Sequence, residues 1–560
     1  ERSGCPSFVS RTDRMSRTAL LFRTTALIVI ITMASRVIGF LRQVLITNEF
    51  GLGWETDAYF FAFNIPSTLF LVLPGAVHSV LIPTLKGLMG DGHLLERQRL
   101  FHRLAVWTGL LFLVITAAGM IWSAEIVRAL APAFSPDKQH LTAELLRIMM
   151  PSVFFIGLIS VMTGFLNAHE QFVSPAVGPV YNGLAVIASI YLLGPFLGMK
   201  GVAWGTTAGF AVFAASLAIP MFRSKYRFLR NTSLRPDALM RSMGERFVPI
   251  LAGMAVSQLY LFVEKIFAGG LGDQKISALW LAFSVVQLPI AIFSGSLAVP
   301  LFPLLSEYAK RNEMDGMKRV MAKGFLYQYH VLLPATVGII LLAVPFARLF
   351  DYSDNFTVKD TMLTAWALAF YAAGMVGWAG RDLLTRASYA LENTRTPVIV
   401  SLISFLVYLP CALVLMRQLD HGGLALAYSL VSFLNMALQA VMLRKQIGRL
   451  FDRTFYASLG KGAAASAVMA AVIWAASALA VRLSGAESLP LHGEAVDALA
   501  SLPALPGGWL GAVWLAGIVA LAAAAYAGVL VAMKDDTAAE LLARFIPRRF
   551  QIGRRDKEVD

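Results

Sequence analysis

Residues 509–533 read WLGAVWLAGIVALAAAAYAGVLVAM, 25 positions without a charged side chain. A helix of about 20 apolar residues crosses the hydrocarbon core of a bilayer, so this stretch is long enough to span one. A single block of this kind also suits a buried core helix. The apolar run Ala464–Ala480 and a dozen further blocks in series leave the membrane as the only fitting solvent. Composition agrees: 57% of residues are hydrophobic and 15% charged, against about 25% charged in a soluble domain. The pattern places spans at 20–46, 57–86, 103–123, 142–167, 173–196, 201–222, 245–269, 276–306, 323–350, 361–390, 397–417, 422–443, 459–482 and 508–533. The expected fold class is an all-α polytopic membrane protein of about 14 transmembrane helices.

The formal net charge is +14. Its distribution argues against nucleic acid as a partner, because the basic residues fall in short loops between apolar spans. The loop after span six carries Arg223, Lys225, Arg227, Arg230, Arg235, Arg241 and Arg246; the loop after span eight carries Lys310, Arg311, Lys318 and Arg319; the loop after span twelve carries Arg444, Lys445, Arg449 and Arg453. Thr47–Thr56 and Ser484–Gly508 have no Lys or Arg. Cytoplasmic loops are enriched in Lys and Arg, so even-numbered loops and both termini are expected on the cytoplasmic side. The first methionine, Met15, is expected to open the native protein, and Glu1–Arg14 is polar. The apolar stretch that begins near Ala19 is too long for a signal-peptide core, so no cleavable signal is expected. Cys5 and Cys411 form no disulfide framework or metal-ligand spacing, and the eight histidines are scattered. There is no phosphate-cradling Gly-rich loop followed by Lys and Ser or Thr. No enzyme, metal site or catalytic residue is expected.

The chain repeats itself at a shift of 222 positions: Ser35 and Phe40 fall on Ser257 and Phe262, Ala168, Glu170 and Pro175 on Ala390, Glu392 and Pro397, Gly201 and Ala203 on Gly423 and Ala425, and Arg223 on Lys445. Around span two the shift drifts, with Pro66 answering to Pro289. The recurrence predicts two six-helix lobes related by pseudo-two-fold symmetry plus two C-terminal helices. An even number of spans per repeat makes the halves parallel in topology, an arrangement that suits alternating access. The expected organisation is a segment 1–18, an N-lobe 19–230, a C-lobe 231–450, spans thirteen and fourteen within 451–535, and a basic tail 536–560. Spans thirteen and fourteen are expected either to pack against one lobe or to bind a lipid tail.

Charges inside spans are costly and ordinarily face a cavity or a partner. Span one carries Arg36 and Arg42, about 9 Å apart along the axis and out of phase by somewhat over half a turn. Either meets an anionic substrate, since the guanidinium fork matches phosphate oxygens, or reaches the headgroups or a nearby acid. Asp57 opens span two as an N-cap or first-turn acid, and Asn64, Pro66 and Pro74 give that helix a polar, kinked side. His78 lies deeper and reads as a packing residue before a proton relay. Span seven carries Glu264 and Lys265, which diverge by about 100° as helix neighbours and need not pair. Glu264 is a candidate to hold a coupling cation and Lys265 to meet a phosphate. Arg381 and Asp382 in span ten are expected to pair with other spans.

The run Ser35-Arg36-Val37-Ile38-Gly39-Phe40-Leu41-Arg42, followed by Phe50-Gly51 and Thr56-Asp57-Ala58-Tyr59-Phe60, resembles the opening of the MurJ (MviN) family of lipid II flippases. Asp382-Leu383-Leu384-Thr385-Arg386-Ala387-Ser388-Tyr389-Ala390, continuing through Asn393-Thr394-Arg395-Thr396-Pro397-Val398, resembles it more specifically. The resemblance runs from about residue 18 to 450 with two further spans, the 14-helix plan of that family within the multidrug/oligosaccharidyl-lipid/polysaccharide exporter superfamily. It implies a central cationic cavity that takes lipid-linked peptidoglycan precursor at the inner leaflet of the bacterial cytoplasmic membrane and releases it outside. Coupling to Na+, H+ or the membrane potential is implied, and the cell-wall synthesis machinery is the implied partner. On these grounds Arg36, Arg42, Asp57, Asn64 and Lys265 are the candidate substrate-binding residues and Glu264 the candidate for cation coupling. The chain departs from the family pattern at Gln43, where an Asp is usual, across Phe70–Gly75, which lacks the usual charges, and at Ser284, where an Arg is usual. Lys265 and His78 are the candidates to compensate. The alternatives are a related polyprenyl-linked polysaccharide flippase, a cation-coupled drug antiporter of the same superfamily, and a non-transporting scaffold for cell-wall assembly.

Overall fold

The computed structural model describes residues 11–87, 94–223, 238–350, 355–484 and 508–535, with 537 and 540. Lys225, Arg227, Arg230, Arg235, most of the loop 484–508 and the basic tail beyond 540, on which the orientation reading leaned, lie outside the described residues. The first half of the described chain runs through α1 (Arg11–Phe50), α2 (Trp54–Gly87), α3 (Leu94–Ile121), α4 (Ser123–Leu130), α5 (Pro136–Met149), α6 (Pro151–Ala168), α7 (Val173–Leu192), α8 (Gly194–Leu197) and α9 (Met199–Arg223). The second half follows with α10 (Ala238–Gly269), α11 (Lys275–Lys310), α12 (Met314–Leu341), α13 (Ala343–Arg348), α14 (Val358–Ala373), α15 (Met375–Ala390), α16 (Arg395–Leu419) and α17 (His421–Ile447). The appended pair is α18 (Arg453–Ser484) and α19 (Gly508–Ala532).

Twelve described helices or helix pairs are long and apolar enough to cross a membrane, and two bent helices raise the number to 14. The bends are 46° between Leu239–Ala255 and Gln258–Gly269, and 42° between Val358–Ala373 and Met375–Ala390. Spans four and ten begin earlier than the hydropathy placed them. Pro136 starts α5 in the first-turn position that tolerates a missing N–H, and α14 starts on a capping box. There the Thr357 N–H donates to the Asp360 carboxylate at 2.9 Å and the Asp360 N–H donates to the Thr357 hydroxyl at 3.3 Å.

The repeat is written into the helix ends. α5, α7 and α9 begin at residues 136, 173 and 199, and α14, α16 and α17 begin 222 positions later at 358, 395 and 421. α6 and α15 both end in the same C-terminal motif. The Gln171 N–H donates to the Leu166 carbonyl and the Glu170 N–H to Asn167; the Asn393 N–H donates to Ser388 and the Glu392 N–H to Tyr389. In each case the Glu takes the left-handed conformation, φ 62° at Glu170 and 59° at Glu392, which turns the chain out of the helix and satisfies its last carbonyls. The paired glycines answer to close approach. A Cβ at Gly201 would lie 2.7 Å from the Leu193 carbonyl, and one at Gly423 would lie 2.2 Å from the Leu415 carbonyl oxygen.

The described chain divides into two compact units. The first comprises 1–42, 65–126 and 143–254, and the second 43–64, 127–142 and 255–560. Lipid tails are as apolar as leucine, so helices in a bilayer associate through close packing of small residues and through hydrogen bonds. In the first unit Gly178 meets the Phe213 ring, Gly157 meets Phe112, and Gly183 meets Ile38. The Thr207 hydroxyl donates to the Ile148 carbonyl at 2.7 Å. In the second unit Leu301, Leu305, Met321, Phe325, Leu384 and Leu443 form one apolar core. The appended helices pack against this unit: Ala465, Met469 and Ile473 of α18 join Leu515, Ile518 and Ala522 of α19 around Leu342. Buried His330 of α12 fastens them, with Nδ1 3.1 Å from the Tyr526 hydroxyl and Nε2 2.9 Å from the Ser458 hydroxyl.

Gly423→Ala places its methyl against a fixed backbone carbonyl and is expected to cost about 1–3 kcal/mol or more. Gly517 has nothing within 4 Å of a built Cβ, so Gly517→Ala is expected to be neutral or to stabilise by about 0.5–1 kcal/mol. Thermal unfolding of the two purified variants tests this; equal melting temperatures refute the close-approach reading.

Candidate functional site

Two clusters of buried charge among the described residues of the second unit involve the sequence candidates. The first is built on the start of α11. Gln274 precedes it at φ 75°, ψ −14°, and the first N–H groups of a helix have no partner within it. Asp57, in the first turn of α2, accepts them. Its Oδ2 takes the Gln274 N–H at 2.8 Å, and its Oδ1 takes the Ser277 N–H at 2.8 Å and the Ser277 hydroxyl at 2.5 Å. Lys138, in the first turn of α5, donates to Asp57 Oδ2 at 2.9 Å and to Asp273 Oδ1 at 2.8 Å. Asp57 has no exposed surface and Lys138 is 2% exposed. A cation at a helix N-terminus opposes the helix dipole, and two carboxylates offset that here. Asp57 therefore acts as a first-turn acid whose carboxylate caps a neighbouring helix.

The second cluster surrounds Glu264 and Lys265 on α10. Helix neighbours diverge, yet the long Lys265 side chain folds back and its Nζ lies 2.7 Å from Glu264 Oε1, with both residues buried. Lys265 Nζ also stands 5.6 Å from the centroid of Trp280, against which Phe60 of α2 stacks at 5.4 Å. Tyr371, Tyr408 and Tyr428 lie within electrostatic reach of Glu264. The Tyr371 hydroxyl bonds Glu264, and the Tyr408 hydroxyl and the Trp378 indole nitrogen are buried without a hydrogen-bond partner among the described residues. Buried polar atoms are ordinarily paired, so this concentration marks the place where the second unit has bonding capacity to offer.

Of the remaining sequence candidates, Arg36 is exposed on α1 and Arg42 is half-buried, its Nη1 3.5 Å from the Asn182 side-chain oxygen. Both belong to the first unit, whereas Asp57, Asn64, Glu264 and Lys265 belong to the second. Asn64 is 4% exposed. His78 packs on α6, its ring carbon 3.1 Å from a Cβ built at Gly164. Arg381, expected to pair with other spans, meets Tyr428 of α17 and Tyr260 of α10 and also pairs with its neighbour: Nε and Nη2 lie 3.1 and 2.9 Å from Asp382 Oδ1. The flexible Arg stem overcomes the angular divergence, as at Lys265. Sequence reasoning missed Lys138, Asp273, Ser277 and the three tyrosines. Lys138 left one signal, a cation in a loop that the charge rule places outside. The tyrosines left none, because tyrosine is common at membrane interfaces in any case.

An all-helical chain with 12 to 14 candidate spans, a repeated helix order and charges buried within its helices is a polytopic membrane transporter built from homologous halves. A solved structure described as lipid II flippase MurJ in an inward closed conformation has the same fold, with a TM-score of 0.74 and 22% identity, covering 90% of this chain and 98% of that one. An inward-facing multidrug resistance MATE family transporter of the MOP superfamily follows with a TM-score of 0.61 and 15% identity, covering 75% of this chain and 98% of its own. The family described as lipid II flippase MurJ matches residues 46–491, and the chain belongs to it. The lipid II flippase MurJ of Burkholderia cenocepacia is 28% identical over 440 residues, 76% of this chain and 84% of its own length. The probable lipid II flippase MurJ of Buchnera aphidicola from Acyrthosiphon pisum is 27% identical over 414 residues, 73% of this chain and 81% of its own length.

Lys138→Met leaves Asp57 buried without its counter-charge and is expected to destabilise the protein by about 3–5 kcal/mol. In an Asp57→Asn background the same change is expected to cost much less. A thermal-unfolding double-mutant cycle measures the coupling, and additive effects of the two changes would remove the ion pair from the account.

Proposed function

We propose that this chain carries lipid II from the inner to the outer leaflet of the bacterial cytoplasmic membrane by alternating access, with both termini cytoplasmic and the cell-wall synthesis machinery as consumer. The observation that carries the reading is Arg42. Its guanidinium is half-buried on α1, inside a stretch apolar enough to span the bilayer, with Nη1 3.5 Å from the Asn182 side-chain oxygen. A charge inside a span ordinarily faces a cavity or a partner, and the guanidinium fork suits a pyrophosphate. Arg36, exposed on the same helix, extends the cationic track.

Lys265 reaches a phosphate only by leaving Glu264. Its departure strands a buried anion, and removing one partner of such a pair is strongly unfavourable. Glu264 Oε2 with the Tyr371 and Tyr408 hydroxyls forms an oxygen donor set that suits Na+ or H+, whose charge neutralises the carboxylate. On this reading Glu264 is the coupling residue and Lys265 the exchangeable one.

In cells depleted of their own flippase, expression of this chain is expected to restore lipid II exposure on the outer face. Arg42→Ala is expected to lower that restoration roughly tenfold or more, the loss of one charge-assisted hydrogen bond. Restoration that Arg42→Ala leaves intact would remove Arg42 from the site. Glu264→Gln is expected to abolish the dependence of exposure on the Na+ or H+ gradient; an unchanged dependence refutes the coupling role.

A further inference from the structure

The turn between α16 and α17 repeats the turn between α8 and α9. Gly198 holds φ 58°, ψ −140° in the first, and Asp420 holds φ 54°, ψ −140° in the second. That backbone region suits glycine and strains any residue with a Cβ. The second repeat thus accepts strain to place a carboxylate where the first has none. The Asp420 Oδ1 accepts the His421 N–H at 2.7 Å, and its Oδ2 pairs with Lys275 in the first turn of α11.

His421, which stands where the first repeat has Met199, is 2% exposed. Its Nε2 lies 2.9 Å from the Leu363 carbonyl oxygen of α14. A carbonyl only accepts, so Nε2 carries the hydrogen. Nδ1 is buried without a hydrogen-bond partner among the described residues and stands 3.8 Å from Asp420 Oδ1. In the neutral ring that geometry aims a lone pair at a carboxylate. A proton on Nδ1 converts the contact into an ion pair. The charged groups that meet this pair among the described residues are Asp420 itself and Lys275 of α11. From α14 come the Leu363 carbonyl and Trp366, whose indole N–H donates to the Leu419 carbonyl at 3.0 Å.

We infer that Asp420 and His421 form a proton-binding site in the α16–α17 turn, and that the bound proton joins α14, this turn and α11 through the chain Leu363 carbonyl, His421, Asp420, Lys275. Burial pushes the Asp420 carboxyl up, but the hydrogen bonds and charges of His421 and Lys275 outweigh it and hold the group well below the usual carboxylate range. Asp420 is therefore an anion whether or not Nδ1 of His421 carries a proton. The ion pair exists only with the proton on Nδ1, so its contribution is expected at acid pH and is lost as pH rises.

The test uses the full chain in lipid nanodiscs, with apparent melting temperatures at pH 5.5 and pH 8. His421→Gln keeps an N–H for the Leu363 carbonyl and cannot take the proton. The melting-temperature gap between wild type and His421→Gln is expected to widen by roughly 2 °C at the acid pH. Asp420→Gly restores the residue type the backbone favours, so it tests the site even where His421→Gln does not fold. Its acid-dependent gain is expected to be absent. A gap that is the same at both pH values, or an Asp420→Gly variant with the full wild-type acid gain, overturns the site.

Discussion

The Asp57 carboxylate, with no exposed surface, is the constraint that organises the second unit. A bilayer offers no water to a helix end or a buried charge, so each must be satisfied by the protein. Asp57 satisfies the open N–H groups of α11 at Gln274 and Ser277, and Lys138 balances its charge. One residue along, Lys275 reaches Asp420 in the α16–α17 turn. The first turn of α11 is thereby fixed at three successive contacts, to α2, to α5 through Lys138, and to the α16–α17 turn. The remainder of α11 inherits that register. It sets Trp280 against Phe60 and under Lys265, so the position of the buried lysine follows from the cap one and a half turns earlier.

The spans and their repeat were legible in the sequence because both are local signals recurring at a fixed shift. Glu170 and Glu392 drew attention as a repeated pair, and their reason is backbone conformation: each is the left-handed residue that ends a helix. Gly201 and Gly423 recur because a backbone carbonyl approaches them. The break at Met150 had a visible cause in Pro151, whereas the bend at Gly374 had none, since glycine in a membrane helix serves packing as often as bending. Partnerships were the illegible part. Lys138 and Asp57 are 81 positions apart, and Ser277 and Asp57 are 220 apart; nothing local foretells either. The pairings of Glu264 with Lys265 and Arg381 with Asp382 were underread for the opposite reason. Cα directions say that helix neighbours diverge, but a long flexible stem closes the gap.

The two kinds of cation within the helices are not equivalent, and on the proposed function the difference bears on transport. Arg36 and Arg42 carry a charge that stays ionised wherever it is placed, and Arg42 Nη1 lies 3.5 Å from the Asn182 side-chain oxygen. Lys265 is bound to an adjacent carboxylate. On the proposed function, an anionic headgroup engages Lys265 only in competition with Glu264. Whatever neutralises Glu264 would then lower the cost of that engagement, and by linkage a headgroup at Lys265 would raise the affinity of Glu264 for a cation by the same factor. An arginine at Ser284, usual in the family pattern, would bind a headgroup with no such linkage. On the proposed function, a cation held in an ion pair in place of that arginine would make headgroup binding in the second unit conditional on cation binding. The departures from the family pattern at Ser284 and Phe70–Gly75 would then be a change in how substrate and ion are coupled.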